Sequence, residues 1–367
     1  MIKVALITNI PSPYRVDLFY YMQMHLKEYE IHVIYTNQSE DNRKWEIENE
    51  KLINSHILNS KIIKLKGELD DRYIHFPGNI GRILSRLKID VVIAWEYNLA
   101  AIQSMIWCKI KKRPFIHLTD GTLYSERNIG NLQKLSRKLI TQNADACIAS
   151  SSKAKEKLMR WSVPEEKIFI SLLTVDITKI RKTEHKPEAG RLLYVGSMIQ
   201  RKGLDLLIKA LQYVENDYSL HIVGNGNEKQ IEELKKIAKD VGATDHIQFC
   251  GFKQGQELIN EYQRAQIFIL PTREDCFGLV LLEALCAEVP IISSKYADGA
   301  YDIVNEGKNG ILVDPYDSKE FGSTINKVLK KEICLDGKED MIVGKFTFYE
   351  VSKGYKNAIA YVLKGEK

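Results

Sequence analysis

Residues 265–294 read AQIFILPTREDCFGLVLLEALCAEVPIISS. An apolar strand-like run leads through a polar turn into a helical pattern, and a second strand-like run follows. This order predicts two neighbouring parallel strands joined by a crossover helix. Three carboxylates accompany the apolar helical run: Glu274 and Asp275 lie just before it and Glu283 lies within it. A surface helix would spread its charge around one polar face, so we expect a buried element that directs a few polar groups at a ligand.

The same alternation runs along the whole chain of 367 residues. Strand-like runs of the first half lie at 3–8, 31–35, 62–65, 91–95, 115–118 and 146–150. After a polar stretch at 178–190, further runs lie at 191–196, 219–224, 246–251, 266–271, 290–294 and 310–314. Helical patterns separate the runs, which predicts an α/β protein with two doubly wound parallel sheets and a hinge between them.

We therefore predict one domain over residues 1–182 and a second over 183–347, with a C-terminal helix at about 348–367 packing back on the first. Ligands of such folds bind at the carboxyl ends of the strands, so we expect the domains to face each other across a cleft. A cleft between two sheets suits an enzyme with two substrates.

Composition indicates an ordinary globular protein, with 44% hydrophobic residues. No apolar run approaches the roughly 20 residues that cross a bilayer, and no signal-peptide pattern precedes the run at 3–8, so we expect a cytoplasmic protein. The six cysteines form no CxxC pair and have no histidine at ligand spacing, which indicates neither a disulfide framework nor a zinc site.

Charge is distributed unevenly between the halves. Residues 1–182 hold 29 basic and 20 acidic residues, a net charge of +9, whereas the remainder holds 24 and 28, a net charge of −4. The excess includes KIKKRP at 109–114 and basic helices near 134–138 and 153–160. This asymmetry suits peripheral contact with an anionic membrane or an acidic ligand, although a merely solvated basic face gives the same pattern. We expect no nucleic-acid partner, and the oligomeric state stays open.

From residue 191 to about 318 the chain resembles the retaining glycosyltransferases of family 4. The segments that carry the resemblance occur in the family's order: YVGSMIQRKGLDLLIKAL, LHIVGNGNEKQ, IQFCGF, AQIFILPTREDCFGLVLLEALCAEVPIISS and DIVNEGKNGILVDPYD. The opening ITNIPSPYRVDLF is similar to members that act on surface polysaccharides, such as capsule. The resemblance implies the GT-B fold, in which two Rossmann-like domains face across a cleft.

The family places two glutamates eight positions apart around Phe-Gly. Counting back eight from Glu283 gives Asp275, with Glu274 before it, so this chain departs from the motif by one methylene. The resemblance implies that the first acid lies near the transferred sugar, and either Asp275 or Glu274 fills that role. It implies that Glu283 holds the nucleotide ribose through two carboxylate oxygens. The competing interpretation is a helix-capping acid and a buried glutamate paired with an arginine.

Arg201 and Lys202 stand at a strand-to-helix turn, where two cations are placed to bind a diphosphate. The resemblance implies that they neutralise the leaving group, although an exposed turn often carries such a pair. The helix that starts near Gly278 directs its N–H groups at the same place, and a helix N-terminus attracts phosphate. The further predicted donor contacts are Gly196, Gly224, Phe252, Lys253, Cys276, Phe277, Gly278 and Leu279.

Two loops of the first half supply the predicted acceptor side. NIPSPYR at 9–15 follows the first strand and HLTDGT at 117–122 follows a later one. Asp120 is expected to orient an acceptor hydroxyl and Arg15 to contact phosphate, whereas His117 is expected to be a satisfied core residue. Trp95 and Tyr97 suit packing as well as sugar binding. The remaining predicted acceptor-side residues are Pro13, Tyr14 and Gly121.

The resulting hypothesis is transfer of a sugar from a nucleotide diphosphate donor with retention of configuration and without a metal or other cofactor. A UDP-sugar is favoured over GDP-mannose, and the expected acceptor is a glycan or a polyprenyl-diphosphate-linked sugar in surface polysaccharide synthesis. Two alternatives stay open: a sugar-nucleotide epimerase of the same architecture, and a non-catalytic sugar-nucleotide-binding subunit. The absence of an intact GxGxxG after either first strand opposes a dinucleotide coenzyme.

Overall fold

The structure, a computed structural model, describes residues 1–40, 51–67, 71–181 and 185–364. It divides into two compact units. Unit 1 comprises Met1–Asp176 and the segment that starts at Phe346, and unit 2 comprises Ile177–Lys345. The boundary predicted between residues 182 and 183 lies outside the described residues.

Unit 1 is built on a parallel sheet of seven strands in the order β3-β2-β1-β6-β7-β8-β9, with a separate two-stranded hairpin, β4-β5. The strands are β1 Ile2–Thr8, β2 Tyr29–Tyr35, β3 Ser55–Ile57, β4 Lys61–Leu65, β5 Arg72–Phe76, β6 Val91–Trp95, β7 Phe115–Thr119, β8 Ala146–Ala149 and β9 Ile168–Ile170. Its helices are α1 Pro13–His25, α2 Ile80–Leu87, α3 Leu99–Lys111, α4 Asn131–Asn143, α5 Ser152–Arg160 and α14 Phe348–Lys364.

Unit 2 contains a six-stranded parallel sheet in the order β12-β11-β10-β13-β14-β15. Its strands are β10 Arg191–Val195, β11 Ser219–Val223, β12 Ile247–Gly251, β13 Ile267–Leu270, β14 Ile291–Ser294 and β15 Gly310–Val313. Its helices are α6 Ile177–Arg181, α7 Leu204–Ala210, α8 Glu228–Asp240, α9 Gly255–Arg264, α10 Leu279–Cys286, α11 Ala300–Ile303, α12 Ser318–Leu329 and α13 Asp340–Gly344.

Central strands in both sheets are buried along their whole length, as in β6, β7, β10 and β13. Helices cover both faces of a parallel sheet, so such strands are continuous apolar runs rather than alternating ones. The prediction of two doubly wound parallel sheets is therefore confirmed, and each unit has a Rossmann-like architecture.

One predicted strand of the first sheet is misplaced. The run at 62–65 pairs antiparallel with β5, with Ile63 opposite Ile74, and stays outside the parallel sheet. Lys61 precedes this run, Lys64 interrupts it, and most of its residues are exposed. It therefore lacks the continuous apolar character of a strand buried on both faces.

Helix α14 packs in unit 1 although it follows the whole of unit 2 in sequence. It contacts α1, β8 and β9, and it buries an apolar stripe that includes Val351, Tyr355 and Ile359. The Ser171 hydroxyl donates to the Val351 carbonyl at 2.9 Å. A Cβ on Gly354 would lie 2.3 Å from the Ile170 carbonyl oxygen, so the helix approaches β9 closely because position 354 has no side chain.

Unit 2 brings the turn after β10 against the end of β13. Gly203 closes this turn with φ +69°, and a Cβ there would lie 2.1 Å from the carbonyl oxygen of Pro271. Both the left-handed conformation and the close approach require glycine. The turn that carries Arg201 and Lys202 is thus fixed to the segment that carries the acids.

Gly203→Ala is predicted to destabilise unit 2 by about 3 kcal/mol or more, because the Cβ collides with main chain that cannot rotate away. Gly242 provides a matched control, since its φ is +71° and a Cβ there meets nothing within 4 Å. Gly242→Ala is predicted to cost only about 1 kcal/mol of left-handed strain. Chemical denaturation monitored by circular dichroism measures both, and equal losses would contradict the close-approach explanation.

Candidate active site

The candidate donor site of unit 2 begins with the cationic turn, residues Gln200–Gly203, which connects β10 to α7. It is held against the acid segment, residues 271–278, that follows β13. The Thr272 hydroxyl donates to the Arg201 carbonyl at 2.9 Å, and Arg201 Nη1 donates to the Glu274 carbonyl at 3.1 Å. The Lys202 ammonium pairs with the Asp275 carboxylate, 73 positions along the chain. The predicted cations and acids are therefore neighbours.

Asp275 is fixed from several sides. Its backbone N–H donates to the Tyr296 carbonyl at 3.1 Å, and its Oδ1 accepts from the Phe277 N–H at 3.2 Å. Burial opposes ionisation of the carboxyl, but the charges of Lys202 and Arg201 outweigh it and lower the pKa of Asp275. The side chain is an anion that already neutralises part of the cationic turn.

Glu274 lies at the same turn and contributes its main-chain carbonyl to Arg201. Asp275 directs its carboxylate at Lys202. The assignment of either acid to the transferred sugar stays a prediction.

Helix α10 starts directly after the acid segment. Gly278 is its N-cap, with φ +76°, and its first turn contains no acidic residue. The N-terminal end of a helix carries partial positive charge, which here adds to that of the cationic turn. Phe277 is buried before this cap, and a Cβ on Gly299 would lie 2.2 Å from the Phe277 carbonyl oxygen, so the helix start is tightly packed. Cys276 precedes this anchor, and Leu279 opens the helix.

Glu283 lies one turn further along α10. Its Oε2 accepts a hydrogen bond of 2.8 Å from the hydroxyl of Tyr262, a fully buried residue of α9. Burial raises the pKa of Glu283 to about 7, although the Tyr262 hydrogen bond acts in the opposite direction. Within the described part of the chain the partner of Glu283 is this tyrosine hydroxyl, and no arginine pairs with it. Tyr262 was missed because its position on an amphipathic helix predicts only a core aromatic.

The two predicted glycines at strand ends approach each other. A Cβ on Gly224 would lie 1.8 Å from the carbonyl oxygen of Gly196, so the loops after β10 and β11 are in contact through their backbones. This close contact requires glycine at position 224.

The predicted nucleobase loop follows β12. Phe252 is 40% exposed, while the Lys253 ammonium pairs with Glu261, which also binds the buried Arg191. Lys253 is therefore engaged with α9.

Glu261 also belongs to a cluster with His221 and Cys250, whose potential ligand atoms all lie within 4.8 Å of one another. Sequence spacing gave no sign of this juxtaposition. The pairing of β11 with β12 brings His221 near Cys250, and α9 supplies Glu261. A cation bound there would have to compete with Arg191 and Lys253 for the Glu261 carboxylate. The six cysteine thiols are free.

The candidate acceptor site in unit 1 joins the two predicted loops. Pro13 opens α1, and Arg15 in the first turn donates to Thr8 Oγ1 at 2.7 Å and to Asp120 Oδ2 at 2.9 Å. Tyr14 and Trp95 place their rings 5.5 and 5.3 Å from the guanidinium. Arg15 and Asp120, predicted as separate contacts, are therefore one pair.

Asp120 Oδ1 is buried and accepts no hydrogen bond from the described residues. Its backbone N–H donates to Glu96 Oε1 at 2.6 Å. Glu96 follows β6 in the left-handed region, with φ +58°, which is unusual for a residue with a side chain. Burial, with the charge of Asp120, raises the pKa of Glu96 to about 7. Glu96 was missed by sequence reasoning, since no spacing rule points to it.

A buried polar cluster supports the Asp120 loop. Lys157 is 1% exposed, and its ammonium donates to Thr119 Oγ1 at 3.0 Å and lies 3.4 Å from Glu126 Oε2. A Cβ on Gly121 would lie 2.6 Å from Glu126 Oε1, so Gly121 makes room for this ion pair. The Lys157 ammonium also lies 4.8 Å from the centroid of the Tyr97 ring.

His117 also belongs to this buried region, but it is not satisfied as predicted. Neither ring nitrogen has a hydrogen-bond partner in the described part of the chain. Burial, with repulsion from Lys157 and Arg137, lowers the pKa of His117 to about 3. The ring is neutral and contacts Tyr97, with centroids 4.5 Å apart.

Family models match both halves of the chain. The model described as glycosyl transferases group 1 matches residues 176–343, and the model described as glycosyltransferase family 4 matches residues 19–179. The lipopolysaccharide 1,6-galactosyltransferase of Salmonella typhimurium is 26% identical over 289 residues, which cover 77% of each chain.

Solved structures share the fold over nearly the whole chain. The lipopolysaccharide outer core galactosyltransferase WaaB superposes with a TM-score of 0.75 at 19% identity, covering 98% of this chain and 99% of its own. HepE from Anabaena, solved with UDP and glucose, has a TM-score of 0.74 at 16% identity, covering 98% of this chain and 100% of its own. Both likenesses show the fold, and the prediction of the GT-B class is confirmed.

Glu96→Gln is predicted to stabilise the protein at higher pH. The pKa of Glu96 in the folded protein, about 7, lies above its unfolded value of about 4.3, so the folded state favours the protonated carboxyl. The free energy of unfolding of the wild type therefore falls as pH rises from about 4.3 to about 7, because the buried carboxyl loses its proton. Glutamine keeps the acceptor for the Asp120 N–H and does not ionise. Relative to wild type, the variant should gain about 1–3 kcal/mol of unfolding free energy between about pH 5 and about pH 8.

Denaturant titrations at the two pH values measure this difference. Glu166→Gln, at an exposed position of the same unit, is the control and should follow wild type at both pH values. If Glu96→Gln also follows wild type, Glu96 is not held in a site that favours its protonated form.

Proposed function

Because the chain belongs to the glycosyltransferases that these two family models describe, we propose that it transfers a sugar from a nucleoside diphosphate donor to an acceptor hydroxyl with retention of configuration. The observation that carries the proposal is the fixed arrangement of Arg201, Lys202 and the N-terminus of α10 around Asp275. Several positive groups converge on one anion, which suits a leaving group that gains negative charge.

Transfer breaks the bond between the anomeric carbon and the diphosphate oxygen. The acceptor oxygen bonds to the anomeric carbon on the same face, and its proton goes to the departing phosphate oxygen. In this proposal Arg201 and Lys202 stabilise the departing diphosphate, and preorganised donors of this kind contribute roughly 2.7–4 kcal/mol each in a comparable oxyanion site. The positive charge comes from the protein itself, so the proposed reaction requires neither a metal nor another cofactor.

Donor recognition is assigned to unit 2. Glu283 is proposed to accept hydrogen bonds from two ribose hydroxyls, which its ionised form does better than its protonated form. The loop with Phe252 is proposed to contact the base. We favour a UDP-sugar over GDP-mannose; HepE, which shares the fold, was solved with UDP and glucose.

Acceptor recognition is assigned to unit 1. Asp120 is proposed to accept from a sugar hydroxyl through Oδ1, which accepts no hydrogen bond from the described residues. Arg15, which holds its other oxygen, is proposed to contact phosphate. We propose a glycan or polyprenyl-diphosphate-linked acceptor in surface polysaccharide synthesis, at the cytoplasmic face of the cell membrane. In support, the Salmonella relative is a lipopolysaccharide galactosyltransferase, and the excess of basic residues lies in residues 1–182.

Arg201→Gln is predicted to weaken UDP binding about ten- to hundredfold, because a charge-assisted hydrogen bond contributes about 1.5–3 kcal/mol. Donor turnover should fall by at least a further factor of about 10, since charge on the diphosphate is greatest in the transition state. Isothermal titration calorimetry and slow hydrolysis of the UDP-sugar measure the two effects.

Arg264→Gln is the matched control, because Arg264 lies on α9 and pairs with Glu188 away from the cationic turn. It should leave UDP binding unchanged. Wild-type protein that binds no nucleoside diphosphate would refute the proposal. Binding without turnover would indicate a non-catalytic subunit, and a changed sugar without acceptor would indicate an epimerase.

UDP affinity is also predicted to rise with pH through about 7, because Glu283 must ionise to accept both ribose hydroxyls. Glu283→Gln should remove this component of the pH dependence. Tyr262→Phe should move its midpoint upward, because the lost hydrogen bond favoured the ionised form. Calorimetry between about pH 6 and about pH 8 measures the shift. Titration of the UDP itself affects wild type and variants equally, so it cancels when the affinity of each variant is compared with that of wild type at the same pH. If wild type and Glu283→Gln show the same dependence of UDP affinity on pH, Glu283 does not bind the ribose.

A further inference from the structure

Exposed aliphatic residues are distributed unevenly between the two units. Every exposed leucine and isoleucine recorded in the described ranges lies in unit 1, whereas the exposed large apolar residues of unit 2 are tyrosines, one phenylalanine and one methionine. Single exposed apolar residues are normal, but a concentration on one part of the surface indicates an interaction site.

Helix α4 carries the clearest part of this surface. Leu132, Leu135 and Leu139 recur at the three- and four-residue spacing of one helix face, and all three are exposed, Leu132 by 80%. Lys134 and Lys138 are exposed beside this face. The opposite face buries Ile140 and Thr141. The apolar face of α4 is therefore directed away from the core.

Helix α3 and the β4-β5 hairpin also expose apolar side chains. They are neighbours of α4, because α3 contacts both α4 and β5. Helix α3 exposes Ile106 and Ile110, with Ile110 71% exposed, at its basic C-terminal end. The hairpin exposes apolar side chains from alternate positions of both strands. These hairpin residues are Ile63, Leu65, Ile74 and Phe76.

The charge along α3 and α4 has one sign, whereas the hairpin carries Asp71, which pairs with Lys64 at 2.8 Å. Residues 97–119 and 127–144, which include α3 and α4, contain no aspartate or glutamate. Among the residues that the structure describes, no acidic side chain pairs with any of the exposed lysines of the two helices. These lysines are Lys109, Lys111, Lys134 and Lys138.

We propose that the hairpin, α3 and α4 form a docking surface for an anionic lipid bilayer. Exposed aliphatic side chains enter the acyl boundary, and the adjacent lysines contact lipid phosphates through stems that lie along the apolar layer. A second copy of this chain fits less well, because α3 and α4 of two copies, which are basic and contain no acidic residue, would repel each other. None of the helices in the described residues is long and apolar enough to cross a membrane, so contact of this kind is interfacial.

The inference goes beyond sugar transfer and is tested without any donor or acceptor. The full-length protein is floated with vesicles of phosphatidylcholine alone or of phosphatidylcholine with phosphatidylglycerol. Wild type should bind the anionic vesicles and release at high salt. Since each lysine near an anionic surface contributes about 1 kcal/mol, Lys134→Gln with Lys138→Gln should weaken binding about thirtyfold. Leu132→Ser, Leu135→Ser and Leu139→Ser together should abolish binding, with the melting temperature unchanged.

Lys236→Gln with Lys239→Gln removes the same charge from exposed positions on α8 and should bind as wild type does. The proposal is overturned if wild type ignores anionic vesicles, or if both lysine pairs have equal effects. Sedimentation velocity without vesicles tests whether a second copy of the chain binds this surface instead. A wild-type dimer that the leucine substitutions dissociate would show that the surface joins two copies of the chain and would also overturn the lipid proposal.

Discussion

The close approach of Gly203 to Pro271 is the constraint on which the candidate donor site depends. Without a Cβ at position 203, the cationic turn can rest on the main chain that leaves β13. The Thr272 hydroxyl then donates to the Arg201 carbonyl, and the Arg201 guanidinium donates to the Glu274 carbonyl. The ion pair between Lys202 and Asp275 follows from this backbone contact. A diphosphate would therefore meet cations whose positions are already fixed, which is the condition for electrostatic stabilisation without reorganisation.

Asp275 and Glu283, the two acids of the donor motif, have opposite environments although they are only eight residues apart. Asp275 is surrounded by cations and main-chain donors, so its pKa is lowered despite burial. Glu283 has a tyrosine hydroxyl as partner and no cation in the described part of the chain, so burial dominates and its pKa rises to about 7. The ion pair keeps Asp275 charged, whereas the charge of Glu283 depends on pH and on what binds to it.

The sequence predicted the strands and helices that depend on local patterns of apolar residues. It did not predict contacts between side chains from distant segments. Continuous apolar runs predicted the buried parallel strands, and the misplaced run at 62–65 is interrupted by Lys64. The family motif indicated Arg201, Lys202 and Glu283. Glu96 and Tyr262 were missed, because their roles arise from a left-handed turn after β6 and from the packing of α9 on α10. Neither contact leaves a pattern in spacing or composition.

The basic excess of the first half resolves into two groups with different physical consequences. Arg15 and Lys157 are tied to Asp120, Thr119 and Glu126, so their charges hold the candidate acceptor loop rather than project a field into solvent. Exposed lysines on α3 and α4 have no such partners among the described residues and lie beside exposed leucines and isoleucines. Charges of the first group are hardly screened by salt, whereas those of the second are screened within about 10 Å at 0.1 M ionic strength. Net charge alone could not separate an internal scaffold from an external binding surface, because the two differ only in what each cation contacts.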